Sequence, residues 1–471
     1  MTNSQIKKYK AIFLYASPMF FIWTFSLLVF WPGMMSHDSL VQWDQITTNN
    51  YNNIQPPLHT FFMKFISLFW NSPGAICLVH IIIMGTLTGY FLYLLDRLNV
   101  NKSLILFSSV ITAFSPINIV MINTVWKDIP YTILVFACSI LMMKIAKKGG
   151  TWLNRKKNLL IFLVLISLPF LFRWNGLSVT VGCLIFVILM HSKFSKKLIA
   201  GGGFIMIFFI AINGPLYDSL GVKKDRWLKY NLPIHQMGSF LKSGVPFDES
   251  EIEFLNKISP TENNWLYNCG VSITRAWGDD LIYDKDYFFD NKERFMSIYY
   301  RKALNNPLSV LNYYRCSSRY IWHPYAKMNK KMQLKTRLYQ SDLETNFKNY
   351  DGIKWIPYKN KFNIVSDSKI PLLVTALTSY VKAFDFLWKP ALYLYVCIIA
   401  LIFGIHNKNN LLIYTLVPIF AHTLGMSLVS ISPEFRFQYP VVFLGHFIWI
   451  LIISNGVLKK IKYPLSKLYV K

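Results

Sequence analysis

Residues 158–191 read NLLIFLVLISLPFLFRWNGLSVTVGCLIFVILMH, an apolar stretch broken once, at Arg173-Trp174-Asn175. An arginine this close to an apolar run is costly unless it snorkels to a surface or binds an anion. The stretch therefore predicts two membrane spans, 158–172 and 176–191, joined by a tight turn that holds Arg173 and Asn175 at one membrane surface. Working outward, apolar windows also fall at 11–32, 75–95, 103–124, 129–146, 198–216, 390–406, 411–430 and 438–456, which makes ten candidate spans. Several fall short of the roughly 20 residues of a perpendicular helix. Composition agrees: 53% of the 471 residues are hydrophobic and 15% charged, against roughly 25% charged in a soluble domain. With mean hydropathy +0.33, a soluble fold could not hide this much apolar surface, whereas lipid accepts it.

The charges sort by parity. With the N-terminus inside, the inner connections are 96–102, 144–157, 191–197, 406–410 and the tail from Lys459, and each is basic. The short outer connections hold only Lys127, Arg173 and Arg436, as isolated cations within motifs. This asymmetry is the positive-inside pattern, and it predicts cytoplasmic termini and an extracytoplasmic active face in the cell membrane. The run after Lys7-Lys8-Tyr9-Lys10 extends to Trp31, longer than the roughly 7–15 residues of a signal-peptide core, so it is read as a retained first span. Residues 371–388 carry Lys382 and Asp385, and an eleventh span there would put the basic tail outside. That segment, like 56–70, is read as an interfacial helix.

The expected fold is therefore an all-α polytopic membrane protein. It has an N-terminal transmembrane module (1–216), an extracytoplasmic loop module (217–388) with helical pieces at 249–258 and 287–304, and a C-terminal transmembrane module with a basic tail (389–471). The formal net charge of +27 is read as a topology signal and as attraction to anionic membrane lipids. No finger, basic-zipper or RNA-binding pattern accompanies it, so no nucleic-acid partner is expected. Four cysteines fall in apolar spans as small hydrophobes, while Cys269 and Cys316 share the outer loop and could form a disulfide.

Each outer motif has two readings. In Ser36-His37-Asp38-Ser39, Asp38 or Ser39 suits a helix N-cap, while an acid among polar residues at the bilayer surface also suits a general base. Asp44 follows one to two turns later. Asp128, in Trp126-Lys127-Asp128-Ile129-Pro130, suits a helix start neutralised by Lys127, or a second carboxylate sharing a metal or an orienting role with Asp38. Gln55-Pro56-Pro57-Leu58-His59 delivers His59 to a helix start, as a catalytic group or as an ordinary interfacial turn. In the stretch 432–440, Glu434 and Arg436 either pair with each other or present a guanidinium fork to a phosphate.

Taken together, Asp38 after the first span, Pro-Pro-Leu-His at 56–59, Trp-Lys-Asp-Ile-Pro at 126–130, Arg-Trp-Asn at 173–175 and Pro-Glu-Phe-Arg-Phe at 433–437 resemble bacterial membrane glycosyltransferases. The class is the GT-C superfamily, which includes protein mannosyltransferases and aminoarabinose transferases. The resemblance implies a sugar donor linked to polyprenyl phosphate and a cell-envelope glycan or glycolipid as acceptor. It implies Asp38 as general base, Asp128 as an assisting or orienting acid, and Arg436 near the lipid phosphate. Inversion at the anomeric carbon is expected. Lys127 and Arg173 are further candidates for donor phosphate, and His37, Asp44, Glu434 and Asn175 for sugar or acceptor. No cofactor is certain; a divalent cation (Mg or Mn) held by Asp38 and Asp128 is the candidate. Where several relatives have paired acids after the first span, this chain has His37-Asp38, a pair that could serve without a cation. The rival readings are an outer-leaflet polysaccharide polymerase or ligase, leaning more on arginine and histidine, and a non-enzymatic transporter, for which an internal repeat would be expected.

Overall fold

A computed structural model describes residues 2–262, 264–269, 284–326, 371–431 and 434–454. The basic tail from Lys459, the loop 327–370 and the dipeptide 432–433 lie outside the described residues, as do the side chains of His37, Lys382 and Asp385. Every described element is helical apart from isolated bridges at Met34–Thr124 and Asn52–Lys223. In chain order the helices used below are α1 (Asn3–Val29), α2 (His37–Thr48), α3 (Pro57–Ser67), α4 (Pro73–Asp96), α5 (Lys102–Phe114), α6 (Pro116–Ile122), α7 (Asp128–Lys147), α8 (Lys156–Phe172), α9 (Leu177–Met190) and α10 (Ser195–Ala211). They continue as α11 (Asn231–Lys242), α12 (Glu249–Ile258), α13 (Lys285–Asp290), α14 (Lys292–Asn305), α15 (Pro307–Ser317), α16 (Arg319–Trp322), α17 (Pro371–Ala383), α18 (Pro390–His406), α19 (Asn410–Val429) and α20 (Tyr439–Ile453).

Among the described residues, each of the ten apolar windows falls mainly on helix. Among the described residues, six helical segments are long and apolar enough to cross a membrane, and the chain is a polytopic all-α membrane protein. The window 103–124 divides into α5 and α6, bent by 59°; Pro116, which cannot continue an α5 hydrogen-bond ladder, opens the second piece. α8, α9 and α18 are shorter. Phe204, Ile207 and Ile210 of α10 are exposed, the surface expected of a helix solvated by lipid. The two segments expected to be interfacial helices are helical, over Pro57–Ser67 (α3) and Pro371–Ala383 (α17). The predicted helix 249–258 is α12, and 287–304 divides at Asn291 into α13 and α14.

α1 packs against α4 and α5, α7 against α19 and α20, and α9 against α19. The start of α7, and with it Asp128, therefore lies in the middle of the bundle, fully buried. The turn between α8 and α9 is a single 3-10 turn, Trp174–Gly176. It closes tightly because a Cβ on Gly176 would collide with the Pro169 carbonyl. Residues of α11 to α14 bury a second apolar cluster, with Met237, Phe240, Leu255, Trp265, Phe288 and Phe295 inside. Cys269 and Cys316 are disulfide-bonded, with Cα atoms 5.8 Å apart, within the usual span of such bridges.

Candidate functional site

Two loops, the one after α1 and the one before α7, are laced together before any charged group is considered. After α1 the chain turns at Gly33, whose φ of 98° is a conformation that disfavours side chains. Met34 N then donates to the Asn123 carbonyl at 2.8 Å, and Val125 N donates to the Met34 carbonyl at 2.8 Å. The Ser39 hydroxyl donates to the Val125 carbonyl, and the Trp126 indole donates to the Ser36 hydroxyl. These bonds fix the start of α2 against the start of α7, so Asp38 and Asp128 enter one site although 90 residues separate them in order.

The third strand of the site comes from the segment before α20. Arg436 Nη1 donates to Asp38 Oδ2 at 2.8 Å, and its Nε donates to Glu434 Oε2 at 2.5 Å. The same Nη1 lies 3.8 Å from Asp128 Oδ2. Lys127 Nζ donates to Asp38 Oδ2 at 3.1 Å and to the Gln55 amide oxygen. Arg173 donates to Asp128 Oδ1. Both guanidiniums lie beside the Phe437 ring, Arg173 at 4.6 Å and Arg436 at 5.3 Å from its centre. Asp38, Asp128 and Glu434 thus meet Lys127, Arg173 and Arg436: three carboxylates against three cations, largely withdrawn from solvent.

Several local expectations change. Neither Asp38 nor Ser39 is the N-cap of α2; Ser36 is, because the Asp38 carboxylate is drawn away to two cations. Lys127 does not neutralise Asp128 beside it. It reaches Asp38, and Arg173 takes Asp128. Glu434 and Arg436 do pair, yet the guanidinium keeps a second edge for Asp38. Asp44 takes no part in this ion cluster among the described residues; it is half-exposed, and burial raises its carboxyl pKa. His37 opens α2, and its side chain lies outside the described residues.

His59 is fully buried, without an ion pair among the described residues. Its Nδ1 meets the Gln42 amide oxygen at 2.8 Å, and the Gln42 amide nitrogen donates to Thr60 at 2.9 Å. With those roles Nδ1 carries the ring proton, leaving Nε2 unprotonated and without a hydrogen-bond partner among the described residues. Burial, then the neighbouring His80 and Lys127, hold its pKa well below the usual value, with Asp38 opposing. His59 is therefore neutral and retains an unused lone pair.

Asn175 belongs to a chain that sequence reasoning missed. Its amide nitrogen donates to the Tyr131 hydroxyl at 3.4 Å, which meets His422 Nδ1 at 2.8 Å. The Phe437 carbonyl meets His422 Nε2 at 2.9 Å. A carbonyl only accepts, so Nε2 carries the proton and Tyr131 donates to Nδ1. The available signal was His422 itself, a polar side chain inside an apolar window.

Burial pushes the Asp38 carboxyl up, but Arg436 and Lys127 more than reverse this and hold it well below the usual carboxylate range. A depressed folded-state pKa stabilises the fold above the unfolded value and loses that stabilisation as pH falls toward the folded value. The difference in Tm between wild-type and Asp38→Asn protein should accordingly stay flat from about pH 8 to about pH 5 and change only below about pH 4. A difference that already vanishes near pH 6, in thermal melts of the detergent-solubilised protein, would mean that Asp38 is not ion-paired.

A divalent cation fits these residues poorly. Asp38 and Asp128 already face Lys127, Arg173 and Arg436, and among the described residues no three histidine, cysteine or acidic side chains gather as ligands.

Residues 54–214 match the model of the dolichyl-phosphate-mannose-protein mannosyltransferase family. The matched stretch contains His59, Lys127, Asp128, Arg173 and Asn175, while Asp38, Glu434 and Arg436 lie outside it. No curated protein and no solved structure matches the chain.

Proposed function

We propose that this membrane glycosyltransferase, of GT-C type by the match over 54–214, moves a sugar from a polyprenyl-phosphate donor to a hydroxyl of a cell-envelope glycan or glycolipid. The observation that carries the reading is the convergence of Asp38 and Arg436, 398 residues apart in sequence, at 2.8 Å. A base for the acceptor and a cation for the leaving phosphate must share one site in such a transfer, on opposite faces of the sugar, and here both belong to one cluster with the space between them closed until a donor enters.

Their contact suggests an exchange. Pinned by Arg436 and Lys127, Asp38 is a poor base, since a useful base has a pKa nearer the working pH. A donor phosphodiester carries one negative charge and can replace the carboxylate on the Arg436 fork and Lys127. Released from those cations, Asp38 keeps only the burial that raises its pKa. It then takes the proton from the acceptor hydroxyl as that oxygen attacks the anomeric carbon. The bond from that carbon to the phosphate oxygen breaks, its electron pair stays on the phosphate, and Arg436 and Lys127 stabilise the added charge. One displacement inverts the anomeric centre. Arg173 holds Asp128 in place, and the Asn175–Tyr131–His422 chain holds the turn that presents Arg173.

The reading places the site on the extracytoplasmic face, with both termini inside, and retains the three modules 1–216, 217–388 and 389–471. A reporter enzyme fused at Gly149, between α7 and α8, should give a cytoplasmic signal; an external signal there would reverse the orientation and separate the site from its proposed acceptor. The reaction itself is tested by mass spectrometry of envelope polymers from a deletion strain. One sugar substituent should disappear and return with the wild-type gene, and an unchanged envelope would contradict the proposal.

A further inference from the structure

A cavity of about 660 Å³ lies between the α8–α9 turn and the loop module, and no residue of the ion cluster lines it. Trp174 does line it, and Trp174 follows Arg173 directly, so cavity and cluster share one turn. The opposite wall is fixed to the α2–α3 connection. Lys223 N donates to the Tyr51 carbonyl at 2.9 Å, Asn53 N donates to the Lys223 carbonyl at 3.1 Å, and Asp225 N donates to the Asn53 side-chain oxygen at 2.6 Å. The turn that delivers Arg173 and the connection that leaves α2, the helix whose first turn holds Asp38, therefore frame this cavity.

Its lining contains Lys224, Arg226, Lys229 and Lys292 against Asp225 and Asp290, an excess of two positive charges. Asp225 is already committed to backbone: its carboxylate accepts from Trp227 N at 2.6 Å and Leu228 N at 3.2 Å. Lys224 pairs with Asp218. Arg226, Lys229 and Lys292 form no ion pair among the described residues. Aromatic rings lie among these cations: Arg226 stands 5.8 Å from the Phe289 ring and Lys229 5.0 Å from the Tyr230 ring, while Trp174 is 36% exposed. Ring faces beside uncompensated cations suit a ligand with an apolar sugar or polyol face and an attached anion.

We infer that this cavity holds the acceptor, and that the acceptor is a phosphate-bearing sugar or polyol. The inference rests on the glycosyltransferase reading above and adds to it the acceptor's charge. The phosphate engages Arg226 and Lys229, the carbon skeleton lies along Trp174, and the hydroxyl to be glycosylated points across the shared turn toward Asp38.

The test uses the full-length protein in phosphatidylcholine nanodiscs, with glucose 6-phosphate as probe and methyl glucoside as its uncharged control, both followed by saturation-transfer NMR. Glucose 6-phosphate should bind more tightly than methyl glucoside. Combined Arg226→Glu and Lys229→Glu substitutions at these exposed positions should weaken its binding by about tenfold or more, with Tm unchanged and methyl glucoside unaffected. The milder Lys292→Gln should weaken it less. Equal binding of the probe by wild type and the double variant would overturn the inference. So would loss of probe binding in phosphatidylglycerol nanodiscs, since the cavity would then be a lipid head-group site. Asp38→Asn protein should bind the probe as wild type does. If that variant still transferred sugar, the catalytic reading would fail while the cavity assignment stood; lost transfer with probe binding indifferent to Arg226 and Lys229 would be the reverse.

Discussion

Asp38→Asn should lower sugar transfer by about 10²- to 10⁴-fold, the range for removal of a general base, while the protein still inserts in the membrane. Asparagine keeps the size of the side chain and can accept a hydrogen bond from Arg436 or Lys127, so the lacing of α2 to α7 through Ser36, Ser39 and Trp126 should survive. What it loses is proton affinity. If Asp38 instead served only to neutralise Arg436, the same variant would remove one negative charge from beside Arg436 and Lys127 and leave them better able to hold phosphate, and donor binding would tighten with little change in kcat. The account predicts the opposite division: kcat collapses, and donor KM holds steady or falls. A quantitative transfer assay with purified variant separates the two, and near-wild-type kcat would exclude the base assignment.

Arg436→Ala should have the second-largest effect, and it should act twice. Arg436 is 8% exposed and faces three carboxylates, Asp38, Glu434 and Asp128. Removing one partner of a buried pair costs about 3–5 kcal/mol because the other charge stays behind. Here Glu434 loses the guanidinium that its Oε2 accepts from, so the fold should be measurably less stable. Separately, the donor KM should rise by about tenfold or more, since the planar fork is the proposed seat of the lipid phosphate. Arg436→Lys distinguishes the two effects. A lysine restores one positive charge and should recover part of the Tm, but an ammonium cannot hold Glu434 along one edge and phosphate along the other, so the donor KM should stay high. Full kinetic rescue by lysine would contradict the fork.

The sequence made the bundle legible because a membrane constrains it so tightly. Spans must be long and apolar, and cations collect on one side, so the windows from 11–32 to 438–456 could be marked without coordinates. The same constraint marked Asp38, Asp128, Arg173 and Arg436 as residents of one surface, and they do converge. Surface membership does not fix partners. Lys127 sits beside Asp128 in the chain yet binds Asp38, because the helical start of α7 buries the Asp128 carboxylate inward toward Arg173 while the Lys127 chain extends to α2. No spacing rule expresses that difference. Gln55 as a second acceptor for Lys127 was hidden for the same reason. Tyr131 and His422 lie inside apolar windows, where nothing local distinguishes Tyr131 from a packing residue, although a histidine in such a window is itself a signal. Pro116 marks the bend between α5 and α6, although the apolar window 103–124 runs through it without a break in hydropathy. The cavity beside Trp174 was beyond reach, since its walls come from the α2–α3 connection, the α8–α9 turn and the loop module, which nothing local links.

The most direct test of the central claim is a reconstituted transfer reaction followed at both products. Purified protein in liposomes receives a polyprenyl-phosphate sugar and an envelope acceptor, and mass spectrometry counts glycosylated acceptor against free polyprenyl phosphate. The account predicts one polyprenyl phosphate released per sugar transferred, and both products formed about 10²- to 10⁴-fold more slowly with Asp38→Asn. Transfer that proceeds equally well from a nucleotide sugar without the lipid donor, or that continues near the wild-type rate in the Asp38→Asn protein, would contradict it.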